Sequence, residues 1–159
     1  MKKSILSFVF VLVLATVASA APRFGVIGEQ TGGLGAFITD DMYNAQVTFT
    51  NSSDNASSKN ESTSIKLGGN YKVALDSVTA LTAGVNYSTT SGKINNVNIN
   101  KKNTLAISAG FERALSSNIV LTTQTDVYSQ TAYKATANST ELKTTKLFSN
   151  GRVGVAYLF

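Results

Sequence analysis

The last nine residues, Gly151-Arg152-Val153-Gly154-Val155-Ala156-Tyr157-Leu158-Phe159, alternate with a period of two. Val153, Val155, Tyr157 and Phe159 share one face, and Arg152, Gly154, Ala156 and Leu158 the other. Successive side chains of a strand point to opposite faces, whereas a helix repeats its apolar positions every three to four residues. Three more segments carry the same pattern. Leu105, Ile107, Ala109 and Phe111 oppose Thr104, Ala106, Ser108, Gly110 and Glu112; Ile65, Leu67, Gly69, Tyr71 and Val73 oppose Ser64, Lys66, Gly68, Asn70 and Lys72; Leu81, Ala83, Val85 and Tyr87 oppose Ala80, Thr82, Gly84 and Asn86. From Arg23 onward no segment keeps a helical period and no apolar run is long enough for a membrane helix.

The alternation predicts eight strands, near 23–30, 33–39, 43–51, 62–75, 78–90, 102–114, 118–133 and 144–159. Tight polar turns fall at Asp40-Asp41, Asp76-Ser77 and Ser116-Ser117-Asn118. Longer Ser, Thr, Asn and Lys-rich links fall around 52–61, 91–101 and 134–143. The first hairpin, turning at Thr31-Gly32-Gly33, comes out short. Eight strands of roughly ten residues with alternating short and long links predict an all-β fold, an eight-stranded antiparallel up-and-down transmembrane β-barrel.

The amino terminus reads differently. Met1-Lys2-Lys3 is a basic start, Ile5 to Leu14 is almost unbroken apolar sequence, and Ala18-Ser19-Ala20 ends it in small residues. This is the pattern of a cleaved secretory signal peptide over residues 1–20, leaving 21–159 as the barrel. Loss of Lys2 and Lys3 lowers the formal charge from +5 to +3, because twelve basic and nine acidic side chains remain. The remaining cations are scattered, with Lys101-Lys102 the one adjacent pair, so no nucleic-acid footprint is expected.

A soluble barrel and a membrane barrel share the alternation, and the mean hydropathy of +0.05 fits either. The aromatic residues separate them. With strand one running upward, Phe24, Tyr43, Tyr71, Phe111, Tyr157 and Phe159 fall at the lower end of the apolar face, and Phe49, Tyr87 and Tyr133 at its upper end. Two aromatic girdles at bilayer spacing are what a transmembrane barrel presents to its two interfaces. Phe37, Tyr128 and Phe148 fall on the other face and are expected to fill the lumen.

The polar face carries Glu29, Lys66, Lys72, Glu112, Asp126 and Arg152, three of each sign, beside Gln46, Asn70, Asn86, Gln124 and Asn150. An eight-stranded barrel has room only for its own side chains, and ions held there must be paired. An Arg152 cluster with Glu29 and Asp126 is expected as a structural plug.

A final alternating strand ending in an aromatic residue, here Val153-Gly154-Val155-Ala156-Tyr157-Leu158-Phe159, resembles the assembly signal of bacterial outer-membrane β-barrel proteins. The chain resembles the small barrels of the outer membrane protein A, outer membrane protein X and opacity-protein type. In pattern the resemblance covers all of 21–159; in residue detail it covers the last strand and the signal peptide. It implies residence in the outer membrane and insertion by the barrel assembly machinery, with Val153, Val155, Tyr157 and Phe159 as the residues read. The sequence departs from the outer membrane protein A pattern by ending at the barrel, with no peptidoglycan-binding domain after it.

With no Cys and no His, the chain has no disulfide, no thiolate nucleophile, no imidazole base and no ordinary zinc site. The proteases, phospholipases, deacylases and palmitoyltransferases known among outer-membrane barrels place a His in their active sites. No catalytic residue, metal or cofactor is therefore expected, and Asp40 and Asp41 read as turn formers. A structural or surface-interaction role remains, as a monomer contacting outer-membrane lipid, lipopolysaccharide phosphates or a host, prey or other cell-surface ligand. The cations Lys59, Lys93, Lys101, Lys102, Lys134 and Lys143 of the upper loops would make those contacts. Two alternatives stay open: a narrow pore for small solutes, and a secreted soluble ligand-binding barrel of lipocalin kind.

Overall fold

The computed structural model describes residues 21–54, 60–94, 97–134 and 140–159. Residues 1–20, expected to be a signal peptide, and Lys59 among the loop cations lie outside the described residues. Eight antiparallel strands, β1 (Arg23–Glu29), β2 (Leu34–Thr39), β3 (Tyr43–Asp54), β4 (Asn60–Ala74), β5 (Thr79–Ile94), β6 (Val97–Ala114), β7 (Ile119–Lys134) and β8 (Glu141–Leu158), pair in sequence order. β8 closes the ring on β1, setting Gly25 to Glu29 opposite Leu158 to Gly154. Closure leaves the lower barrel without an edge, the condition for placing strands in lipid.

The lower turns share one device. Asp40 Oδ1 accepts from the backbone N–H of Met42 and Tyr43 at 2.7 Å each, and Asp76 Oδ1 accepts from Val78 and Thr79 at 2.8 and 2.7 Å. Ser116 Oγ does the same for Asn118 and Ile119 at 3.3 and 3.1 Å. Short polar side chains that bond the backbone two and three residues on are what stabilise such turns. Thr31 to Gly33 turn the first hairpin at the opposite end, where Gly32 takes φ 81°, a conformation open to glycine at little cost.

Every strand from β3 to β8 reaches further at its upper end than the alternation predicts, least in β7 and most in β6. These extensions are mostly polar and continue the strand ladders, with Ser52 opposite Ser62 and Thr63 opposite Ser91. The β1–β2 hairpin does not follow them. With 7 and 6 residues, its strands are shorter than the roughly 9–11 that a tilted strand needs to span a bilayer. Among the described residues, β3 beyond Thr50 and β8 before Val153 therefore each keep one edge without a strand partner, leaving a notch in the wall above Gly33.

Three shifts interrupt the registers: one lies high in the β5–β6 ladder, where Thr90 is opposite Lys102 but Gly92 opposite Ile99, and two bulges lie deeper. Ile107 lies opposite Tyr128 but Ser108 lies opposite Asp126, so Val127 is an extra residue in β7. Gln124 lies opposite Arg152 but Asp126 lies opposite Ser149, so β8 also carries an extra residue, and Phe148 and Asn150 take φ 47° and 53°. A one-residue bulge exchanges the two faces of a strand beyond it. That exchange corrects three expectations. Tyr128, expected in the lumen, joins Ile107 and Leu147 on the exposed outer face. Phe148, likewise expected inside, is 75% exposed. Tyr133, expected in the upper outer girdle, pairs with Lys102 on the side that faces inward, beyond the Thr104–Thr131 hydrogen bond of 2.9 Å. Phe37 is in the interior as expected, 2% exposed.

The polarity of the wall is inverted relative to a soluble protein. Leu105, Ile107 and Phe111 of β6 are 58%, 55% and 49% exposed, while Ser108 and Glu112 on the opposite face are buried. The same holds for Phe24, Val26, Tyr71, Val73, Leu81, Val85, Val153, Val155 and Tyr157, all exposed. An apolar exterior of this extent is a belt for a lipid phase, not a water-facing surface.

Candidate functional site

Inside the barrel the alternate residues of each strand build two levels. At the bottom, Ile27, Phe37, Val120, Ala156 and Leu158 form a buried apolar cluster on the β1, β2, β7 and β8 side. Beside it, Lys72 Nζ donates to Glu112 Oε1 at 2.5 Å, to Thr39 Oγ1 at 2.9 Å and to the Asp40 carbonyl at 2.5 Å. Glu112 is held further by Asn44 Nδ2 at 2.6 Å, and Asn44 in turn accepts from Asn70 at 2.6 Å.

Above these lie two more ion pairs. Arg152 grips Asp126 through both terminal nitrogens, at 2.6 and 3.2 Å, and Asn150 Nδ2 donates to the same carboxylate at 3.0 Å. Lys66 reaches across the lumen to Glu29, whose carboxylate also accepts from Gln46 Nε2 at 3.2 Å and Thr48 Oγ1 at 3.4 Å. The expected single cluster of Arg152 with Glu29 and Asp126 is thus two separate pairs. The β8 bulge explains the division: it brings Asn150 and Arg152 to Asp126, whose two oxygens satisfy the guanidinium fork, and leaves Glu29 to the long stem of Lys66.

All six charged side chains of the polar face are therefore paired, as ions in so dry a space must be. Asn44, Thr39 and Thr48 complete these networks and were not singled out by charge. Their signal is parity: in β3, Asn44, Gln46 and Thr48 alternate with Tyr43, Ala45, Val47 and Phe49. Among the described residues no group of three or more His, Cys, Asp or Glu is placed to hold a metal ion.

The aromatic residues of the lower exterior also meet one another. Tyr43 and Tyr71 face each other across β3 and β4 with ring centroids 5.4 Å apart at 65°. Phe159 closes the chain beside β1, its N–H donating to the Phe24 carbonyl at 3.0 Å. At the upper level Tyr87 donates its hydroxyl to Asn103 Oδ1 at 3.2 Å, and Phe49 and Leu34 are exposed.

A closed eight-stranded meander, apolar outside and ion-paired inside, is the fold of the small outer-membrane β-barrels. Among solved structures, Neisserial surface protein A is matched at 14% identity and TM-score 0.51, over 87% of this chain and 94% of that one. A major outer membrane protein from Thermus thermophilus is matched at 17% identity and TM-score 0.45, over 88% and 100%. Ail, the attachment invasion locus protein of Yersinia pestis, is matched at 13% identity and TM-score 0.37, over 87% and 95%. At these identities the likeness is one of fold. No protein-family model and no curated protein matches the sequence.

Proposed function

We propose that this chain is a non-enzymatic integral protein of the bacterial outer membrane, exported by a signal peptide and anchored as a single barrel whose lumen is plugged by its own side chains. The observation that carries this reading is the inverted polarity: an apolar belt outside a lumen in which each charge has a partner of opposite sign. In lipid that arrangement costs nothing on the exterior; in water it would expose large side chains on every strand. The short turns and both strand ends at Arg23 and Leu158 then face the periplasm, and the longer hairpins extend from the cell. Aromatic residues at both levels, Phe24, Tyr43, Tyr71, Phe111, Tyr157 and Phe159 below and Phe49 and Tyr87 above, would sit at headgroup depth. Lys93, Lys101 and Lys143, on the upper parts of the strands, would meet lipopolysaccharide phosphates or another surface, whereas Lys102 shares the inward side with Tyr133. Val153, Val155, Tyr157 and Phe159 would be read by the barrel assembly machinery.

Cell fractionation followed by electrophoresis of heated and unheated samples tests the reading. The protein should appear in detergent extracts of outer membrane and change mobility on boiling, and Phe159→Ala should shift part of it to the periplasm. Recovery of the unaltered protein in the soluble periplasmic or culture fraction would contradict it.

A further inference from the structure

Asn150 is followed by Gly151, the one Asn-Gly pair in the sequence. An asparagine in that setting carries a latent reaction of its own. The backbone nitrogen of the next residue can attack the side-chain carbonyl carbon, and a glycine, with no Cβ, leaves that approach least hindered. A regular strand prevents it, because ladder pairing fixes the peptide and ties up its N–H. In β8 that protection is missing at this pair. Asn150 and Gly151 together fill the space opposite Thr125, between the Gln124–Arg152 and Asp126–Ser149 positions of the register. On the other side, the β1 register ends with Glu29 opposite Gly154, and the Gln30 N–H bonds the Val153 carbonyl at 2.8 Å, below the pair. The two residues thus lie in a bulge on an open edge, and both are exposed. Asn150 has left the extended conformation for φ 53°, and a Cβ on Gly151 would meet nothing within 4 Å, so the peptide has space to turn.

Water has access to the same spot. Asn150 and Gly151 line an open cup of about 360 Å³ in the upper lumen, beside Glu29, Lys66, Asp126 and Arg152. The hold on the side-chain amide is the hydrogen bond from Nδ2 to Asp126 Oδ2 at 3.0 Å. We infer that Asn150-Gly151 is a self-modification site, at which the folded barrel deamidates. The Gly151 nitrogen gives its proton to water and bonds Asn150 Cγ, the Cγ–Nδ2 bond breaks, and Nδ2 leaves as ammonia. Water then opens the cyclic imide to aspartate or to isoaspartate, so that the net reaction takes up one water and releases one ammonia. The product changes the plug. A neutral donor to Asp126 is replaced by a carboxylate beside it, which gives the paired lumen one more negative charge and sets two anions against one Arg152 fork. The bulge is therefore a slow, irreversible switch from a balanced interior to an acidic one. This goes beyond the anchoring role and rests on the bulge and the cup, whichever membrane holds the barrel.

Ageing of the mature protein tests it, folded in phosphocholine vesicles at mildly alkaline pH beside a urea-unfolded sample. Trypsin cuts after Lys146 and Arg152 and frees the peptide Leu147–Arg152, whose mass and chromatographic retention separate Asn150 from its two products. In the folded barrel this peptide should convert to the aspartate and isoaspartate forms, with one ammonia released per chain converted. Gly151→Ala, whose Cβ enters open space, should slow the conversion several-fold while heat-modifiable migration shows the barrel still folded. Asn150→Ala removes the donor without adding charge, and Asn150→Asp installs the product. The temperature at which heat-modifiable migration is lost should fall in the order wild type, Asn150→Ala, Asn150→Asp. The inference is overturned if Asn150 stays intact in the folded barrel over the time in which the unfolded chain converts, if folded Gly151→Ala converts as fast as the wild type, or if Asn150→Asp is as stable as Asn150→Ala.

Discussion

Single residues inside this barrel act mainly by how completely each charge is answered. Asp126 is buried and bound by the Arg152 fork and Asn150, so Arg152→Met leaves a carboxylate with one neutral donor. Breaking such a pair costs about 3 kcal/mol, whereas replacing both partners by apolar residues can cost far less. Arg152→Met should therefore lower the temperature at which heat-modifiable migration is lost, and the double variant Arg152→Met, Asp126→Leu should recover much of it. An unchanged temperature in the single variant would remove the pair from any structural role. Asp76, in an exposed lower turn, has its carboxyl pKa held below the ordinary 3.8, chiefly by the Val78 N–H and further by Thr79. Its pKa is depressed in the folded state, so the stabilisation is present at neutral pH and fades as pH falls below 3.8 through the folded value. Asp76→Asn should unfold below the wild type at neutral pH, with the gap closing in acid; a gap independent of pH would mean the charge is not what matters. The six ionic residues were legible in the sequence because each interrupts an apolar alternation. Their partners were not, because pairing across a lumen depends on strand stagger and side-chain reach, and the period of two encodes neither.

At the level of elements, the period of two located all eight strands, since one apolar face in each is obligatory for a barrel in lipid. It misplaced the upper ends, where strand pairing continues into polar segments, as between Ser52 and Ser62. It also missed the bulges, because an extra residue such as Val127, between Asp126 and Tyr128, carries no mark of its own in the sequence and shows itself only in register with β6. The bulge in β8 falls where that strand loses β1, between Ser149 and Arg152, and the twist of a bulge is one way an open edge is turned from pairing with another chain. The exchange of faces can be read directly, since the chain contains no native Cys. In liposomes, Tyr128→Cys should react with a lipid-soluble maleimide and resist a charged one, while Tyr133→Cys should react with the charged reagent. The reverse pattern would place β7 in an unbulged register.

For the molecule as a whole, the sum of these alternations is a cylinder whose outside and inside have exchanged the polarity of a soluble protein. Mean hydropathy near zero conceals this, because the average merges an apolar belt with a paired interior and polar upper strands. Strand β6 runs through all three regions and reports on the whole arrangement. Spin labels placed singly along it, on the mature protein in lipid bilayers, measure access to dissolved oxygen and to a water-soluble nickel chelate at each position. Labels at Leu105, Ile107, Ala109 and Phe111 should be open to oxygen and closed to nickel, and labels at Ala106, Ser108 and Gly110 should be shielded from oxygen, with a period of two across the membrane. Nickel access at Leu105, Ile107, Ala109 and Phe111 alike would put the apolar face in water and contradict the transmembrane barrel.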